Sequence, residues 1–331
     1  MNTINLLKSY DKNKHLEITS NSNIEKINLH YLFSEKWNQE ENIPYIVQTH
    51  LLDSYYCLPE RPDMAFTFLW KSINSSYNEL YITKKPNEEK RLSDTIAIEM
   101  LNSMIVDNFD SKINDEITVE LLLKKYISKI PLKLTKFISN YLLKNYVLEK
   151  KYSTKRHVKY ISSSFNTFKS KFPKIYNAII DTYGSAYEKI TNPEIDNHGN
   201  ISLNIKKEDE QKSREITHSL AITIKELLIK RQVNIDNSAT ESFTLDLTNN
   251  LDYIKFITLN LVYAIRNNTI HGKIASRLNS KTKNKESYFS SVYLYLLGYM
   301  ILSISLYELD YINATDLEVN LKNFNDNIDI D

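Results

Sequence analysis

The chain has 331 residues, 42% of them hydrophobic and 25% charged, with a formal net charge of +1. That is the balance of an ordinary globular protein, with enough length for one large or two smaller cored domains. A single cysteine, Cys57, excludes an internal disulfide framework and indicates a reducing compartment. Its expected role is that of a small buried apolar group rather than a nucleophile. The four glycines, Gly184, Gly199, Gly272 and Gly298, are too far apart for a phosphate-binding loop or a dinucleotide fingerprint. ATP- and NAD-dependent chemistry of the familiar folds is thereby excluded. Scarce glycine with abundant Leu, Ile, Lys and Asn predicts an all-α multi-helix bundle with few or no strands.

Residues 1–23 carry no charged-then-apolar-then-small cleavage pattern and read as a loose start to a cytoplasmic chain. Residues 42–57 read as a helix with Pro44 in its first turn, broken by Pro59. Pro62 suits the first position of the next helix, whose apolar stripe is Phe66, Leu69, Trp70, Ile73, Tyr77 and Tyr81. Pro86 and the charged residues 88–91 form a connection, and a further helix spans about 92–106. Pro62-Asp63 followed by Glu88-x-Lys90 spells the pattern of metal-dependent nucleases. That chemistry needs its acids on adjacent strands around one Mg²⁺, whereas Asp63 opens a helix and Glu88 follows Pro86 in a turn. The pattern is read as a coincidence.

Residues 121–174 hold fourteen Lys or Arg and one acid, Glu149. A local charge of +13 in a chain of total +1 leaves −12 for the remainder, the electrostatic footprint of a polyanion partner. Lys150, Lys151, Lys155, Arg156 and Lys159 are its densest cluster and the expected RNA contacts. Interleaved aromatics, among them Tyr126, Tyr141, Phe165 and Phe168, can stack on unpaired bases or else form core. Residues 191–200 are the best linker candidate. Residues 207–231 read as an exposed helix with a seam at Ile216, Leu220, Ile224, Leu227 and Leu228, and His218 on its surface. Residues 234–250 read as polar loop, with one short strand at 242–245.

Residues 252–273 organise the rest. Ile254, Ile257, Leu261 and Ile265 form one helical stripe, and Phe256, Leu259 and Tyr263 a second beside it. The second stripe is the natural face for another copy of the chain, hence an expected homodimer. The apolar run ends in Arg266, Asn267, Asn268 and His271, closed by Gly272, the usual left-handed helix stop. In an ideal helix Asn267 and His271 differ by roughly 40°, but Arg266 and His271 by roughly 140°. The last turn must loosen, or a second copy must supply half the site, for both to meet one phosphate. The plainer reading is a helix end where Arg266 pairs with an acid and His271 caps carbonyls. Residues 287–307 run twenty-one positions without a charge. By length they could cross a bilayer, but their Tyr and Ser content suits a packed core, and no membrane partner is expected. The tail after Glu308 is acidic and Asn-rich and reads as disordered. A further idea is that it covers the basic region when RNA is absent.

Arg266-Asn267, three residues, then His271-Gly272, at the end of a long apolar helix, resembles the signature of HEPN domains. These are all-helical modules, many of them dimeric, metal-independent ribonucleases. The polar loop 273–285, the following Tyr- and Leu-rich helix and, more weakly, the Trp-containing helix at 61–81 fit the same resemblance. It implies an HEPN-like module at 201–310, after an N-terminal helical region at 1–110 and a basic helical region at 111–190. An acidic tail follows at 311–331. It implies catalysis by Arg266, Asn267 and His271, with Lys273, Ser276 and Arg277 as further phosphate contacts. Products would end in a 2′,3′-cyclic phosphate, and the biology would be that of a toxin or an antiviral effector. An inhibitory or activating protein partner fits the same biology.

The chemistry is coherent without metal or cofactor, and no metal-ligand spacing is present. The ribose 2′-hydroxyl is an internal nucleophile already held near the phosphorus. A protein need add only a proton carrier, which His271 provides, and a guanidinium fork on phosphate oxygens, which Arg266 provides. Asn267 would orient His271 or the phosphate. The alternative is a non-catalytic RNA- or protein-binding module in which Arg266 and His271 are structural.

Overall fold

The computed structural model describes residues 10–19, 27–38, 44–85, 93–152, 161–196, 201–236, 242–270, 277–279 and 284–329. In chain order the helices begin with α1 (Lys12–Thr19), α2 (Tyr45–Tyr56), α3 (Pro62–Lys84), α4 (Asp94–Asp107) and α5 (Val119–Ser128). Next come α6 (Leu132–Lys151), α7 (Ser163–Lys171), α8 (Pro173–Ile179), a π-turn (Ile180–Gly184) and α9 (Ser185–Ile190). The hairpin β1 (Glu194–Ile195) and β2 (Ile201–Ser202) precedes α10 (Glu210–Lys230). A second antiparallel hairpin, β3 (Gln232–Asp236) and β4 (Ser242–Asp246), pairs Gln232 with Asp246 and Asp236 with Ser242. One continuous helix then runs α11 (Asn250–Lys255), a π-helical stretch (Phe256–Tyr263) and α12 (Ala264–Ile270). The chain ends with α13 (Lys285–Glu308) and α14 (Glu318–Asn327). Helices make up 74% of the described residues, so the all-α class holds.

The chain forms two compact units, Met1–Pro131 with Thr269–Asp331, and Leu132–Asn268. These cuts fall elsewhere than the boundaries drawn from the sequence, and one lies inside the stretch 201–310. The short strands at 194–202 stand where a linker was expected. Likewise β3 gives the strand at 242–246 a partner that the polar composition of 234–250 concealed.

The first unit is built around α13. Its sequence is apolar on every side, and every residue from Ser287 to Leu306 except Phe289 is buried, as expected of a core helix. Asn284 starts it with a capping box to Ser287. The stripe of α3 lies against it: Phe66, Leu69, Trp70, Ile73, Tyr77 and Tyr81 are all buried. Gly298 allows the close approach, because a Cβ there would stand 3.2 Å from both Leu69 Cδ2 and Phe66 Cε2. The most apolar window of α13 could cross a membrane by length and composition, but 94% of it is buried inside the protein. Pro62 does open α3, and Asp63 is held by Arg61 at 2.9 and 3.1 Å. Its carboxylate is thus occupied in an ion pair, and Glu88 lies outside the described residues.

The tail is a correction. Rather than loose acidic chain, α14 packs into the first unit with Phe324 buried 5.0 Å from the Tyr126 ring. Asn323 takes both backbone groups of His30, accepting from its N–H at 2.7 Å and donating to its carbonyl at 3.0 Å. Asn327, one turn on, does the same for Asn28 at 2.8 and 3.0 Å. Two amide side chains at i and i+4 therefore replace the neighbouring strand that the extended segment 28–34 lacks. Nor is the N-terminal stretch loose throughout: α1 forms, and His15 Nε2 meets Asn279 Oδ1 at 2.8 Å.

In the second unit the seam of α10 (Leu220, Ile224, Leu227, Leu228) is buried and packs on α6, while His218 stays exposed. Arg231 ends α10 with φ 63°, a left-handed conformation unusual outside glycine. Its guanidinium compensates by lying 4.4 Å over the Tyr253 ring and donating to Asn250 Oδ1 at 2.6 Å.

Candidate active site

The helix carrying the candidate residues starts conventionally, with Asn249 capping the N–H of Asp252. From Phe256 the turns widen into π-helix. Hydrogen bonds then run i to i+5, so the 100° bookkeeping that aligned the two stripes fails across the segment. All of the first stripe and two of the three residues of the second are in the core. Ile254, Ile257, Leu261 and Ile265 are buried, and so are Phe256 and Leu259. The Phe256 ring packs against Phe168 at 5.5 Å and Phe172 at 5.3 Å. The expectation that the Phe256–Leu259–Tyr263 stripe faces a second copy is therefore corrected, since its first two members are buried within one chain.

Within the π segment Asn260 is fully buried. Its backbone carbonyl accepts the Tyr141 hydroxyl at 3.3 Å, while neither atom of its own amide has a hydrogen-bond partner. Burial alone holds the Tyr141 hydroxyl well above its ordinary pKa, so it serves as a donor.

At Ala264 the helix returns to α geometry, and the polar end begins. The Arg266 guanidinium lies 5.6 Å over the Tyr263 ring, one turn earlier, and its Nη1 donates to Asn267 Oδ1 at 2.7 Å. Asn267 is 8% exposed, and Arg266 is half-buried beside it. Asn268 turns inward and donates to the Ala264 carbonyl at 2.7 Å. Three of the signature's residues are thus placed: Arg266 and Asn267 are brought together beside the Tyr263 ring, and Asn268 bonds back into the helix. Tyr263 was read from sequence only as part of an apolar stripe; its position three residues before Arg266 is the signal that marks its second role. His271, Lys273 and Ser276 lie outside the described residues. Arg277 begins a short 3₁₀ turn, Arg277–Asn279, with only its backbone described.

The basic region reads differently in three dimensions. Lys150 pairs with Glu188 at 2.5 Å, Lys169 with Glu149 at 2.8 Å, Lys124 with Glu120 at 2.9 Å and Lys129 with Asp329 at 2.6 Å. Lys151 donates to Asn192 at 2.6 Å. Three carboxylates from outside 121–174, Glu120, Glu188 and Asp329, thus meet part of the local +13. Lys144 is half-buried, and desolvation lowers its pKa from the ordinary lysine range. Lys155, Arg156 and Lys159 fall outside the described residues. Five of the aromatics, Tyr126, Tyr141, Phe165, Phe168 and Phe172, are buried, which corrects for them the idea of stacking faces for bases; Phe137, Tyr146 and Tyr152 are half-buried. Among the described residues no group of three His, Cys, Asp or Glu could hold a metal ion.

No family model, curated protein or solved structure matches the chain. What the site offers chemically is a guanidinium beside an aromatic ring and bonded to an amide, at a helix end. A planar fork of this kind suits two oxygens of one phosphate. The negative end of the helix dipole disfavours an anion there, and Arg266 and the cations that follow it in sequence oppose that.

Proposed function

We propose that the chain is a metal-independent endoribonuclease of HEPN type. Arg266 binds the scissile phosphate, His271 carries the proton, and Asn267 orients one or the other. Lys273 and Arg277 add phosphate contacts. In this reading the partner is RNA, the working form is a homodimer in the cytoplasm, and the biology is that of a toxin or antiviral-defence effector held in check by another protein. The observation that supports it is the Arg266 guanidinium clamped between Tyr263 and Asn267, with His271 four residues beyond Asn267. The test is incubation of pure protein with RNA in EDTA. Cleavage that persists in chelator, leaves cyclic phosphate ends, and disappears in both Arg266→Ala and His271→Ala is the expected result. Cleavage that appears only with Mg²⁺ would falsify it.

A second reading, a binding module without catalysis, is favoured by one observation: Arg266 Nη1 is committed to its own neighbour, Asn267. It expects RNA affinity that falls steeply with salt, no products, and no effect of His271→Ala on binding.

A further inference from the structure

Exposed apolar side chains in the first unit concentrate on two neighbouring segments. On α2, Tyr45, Thr49, Leu52 and Tyr56 follow one another at intervals of four, three and four, which keeps them within roughly 60° of one helix face. Tyr45 is 72%, Leu52 65% and Tyr56 80% exposed, and Ile46 flanks them at 60%. The opposite face, Val47, Leu51 and Ser54, is buried. Beside α2 the extended chain alternates: Leu32 and Ser34 point inward, Tyr31 and Phe33 outward. The Tyr31 ring meets Tyr55 edge-on at 4.7 Å, which joins the outward aromatics to the helix stripe.

A surface of this size calls for a cover. An aromatic side chain offers about 150–250 Å², so the exposed parts of Tyr31, Phe33, Tyr45 and Tyr56 come to roughly 400–700 Å² before Ile46 and Leu52 are added. That stands at the upper end of the roughly 300–600 Å² of the largest apolar patch on a typical monomer, and with Ile46 and Leu52 it approaches the roughly 800 Å² per partner of a standard interface. Charge narrows the occupant. The sequence of α2 contains no Lys or Arg and one acid, Asp53, with His50 4.0 Å away. Lys12 stands 6.0 Å from the Tyr56 ring. A nucleic acid or an anionic membrane needs a field of cations that this face does not have.

We propose that α2 is the contact between two copies of this chain, packed antiparallel across a two-fold axis. The four-three-four spacing reads identically in both directions. A two-fold operator therefore sets Tyr45 opposite the partner's Tyr56 and Thr49 opposite the partner's Leu52, the self-complementarity that an isologous interface requires. This assigns the pairing of copies to a helix of the first unit rather than to the stripe of Phe256 and Leu259, both buried in the second, and it stands whether or not the chain cuts RNA.

The experiment is sedimentation of the full chain across a concentration series. The wild type is expected to sediment at twice its 38.8 kDa chain mass. Leu52→Glu with Tyr56→Glu, both at exposed positions, should weaken association about 100-fold or more while circular dichroism and the melting temperature stay unchanged. Thr49→Cys with Leu52→Cys, in a Cys57→Ser background, should give a disulfide-linked dimer under mild oxidation. A wild type that remains monomeric to about 100 μM would overturn the proposal. So would a dimer that survives the double glutamate substitution, or cysteines that fail to cross-link in a dimeric sample.

Discussion

Two helices of this chain are almost equally apolar and are put to different uses. In α13 the backbone is regular from end to end, and its polar side chains are satisfied by design of the surroundings. Ser291 and Ser303 bond back to carbonyls one turn earlier, Ser305 meets Ser76 at 2.8 Å, and Tyr293 donates to the Tyr126 carbonyl at 2.8 Å. Tyr299 accepts the Leu32 N–H at 2.6 Å and shares a proton with Tyr55 at 2.6 Å. Ser290 is the exception. The helix of α11 and α12 keeps neither habit: its middle is π-helical, Asn260 is buried with its amide unpaired, and its end carries Arg266, Asn267 and Asn268. Unsatisfied polar groups and widened turns cost stability, and they recur at functional sites. The first helix holds a unit together; the second carries the irregularities, and the proposed function gives them a use.

The sharpest break in that comparison is functional. Arg266→Ala should lower RNA cleavage by about 1,000-fold, near 4 kcal/mol of transition-state stabilisation, while shifting the urea midpoint little. Single-turnover rates in EDTA measure it. Loss of activity accompanied by unfolding would instead make Arg266 a structural residue of the second unit.

Next in size is a stability effect in the first unit. Asn323→Ala removes both partners of His30's backbone, leaving a donor and an acceptor beneath α14 without bonds. The expected cost is about 3 kcal/mol, read from urea denaturation. A loss below about 0.5 kcal/mol would mean that the amide clamp adds nothing. Gly298→Val should cost somewhat less, about 2 kcal/mol, because its branched side chain must displace Leu69 and Phe66 from the α3–α13 contact. The same measurement decides it, and an unchanged midpoint would show that the two helices part easily.

What the sequence disclosed about these regions follows from which interactions are local. The helical class, the start of α3 at Pro62 and its buried stripe depend on spacing and on residue conformational preference, both written in order along the chain. Asn323 and Asn327 could not be read this way. Their partners lie nearly three hundred residues away, and an Asn-rich acidic stretch has the same composition folded or loose. Phe168 and Tyr141 among lysines look alike whether they face a base or Phe256, and only packing tells them apart. The lysine run likewise meets distant acids, Glu188 and Asp329, that its own stretch of sequence does not show. At the candidate site Arg266 and Asn267 were legible as a motif, whereas Tyr263's place beneath the guanidinium was visible only as a spacing.

The smallest expected effect is the most direct probe of the π segment. Asn260→Leu replaces a buried amide that makes no side-chain hydrogen bonds with an apolar group of similar volume. Its backbone carbonyl, which accepts the Tyr141 hydroxyl, is untouched. Removing an unpaired polar group from the interior should stabilise the protein, by about 1 kcal/mol. Denaturant unfolding reads the sign, and parallel cleavage assays read the consequence. If Asn260 is kept because the widened helix needs it to position Arg266, the more stable variant will also be the slower enzyme, the usual trade between stability and activity. A destabilised variant would show that the amide has a bonding partner such as ordered water, and that the contrast with α13 is one of hydration rather than of strain.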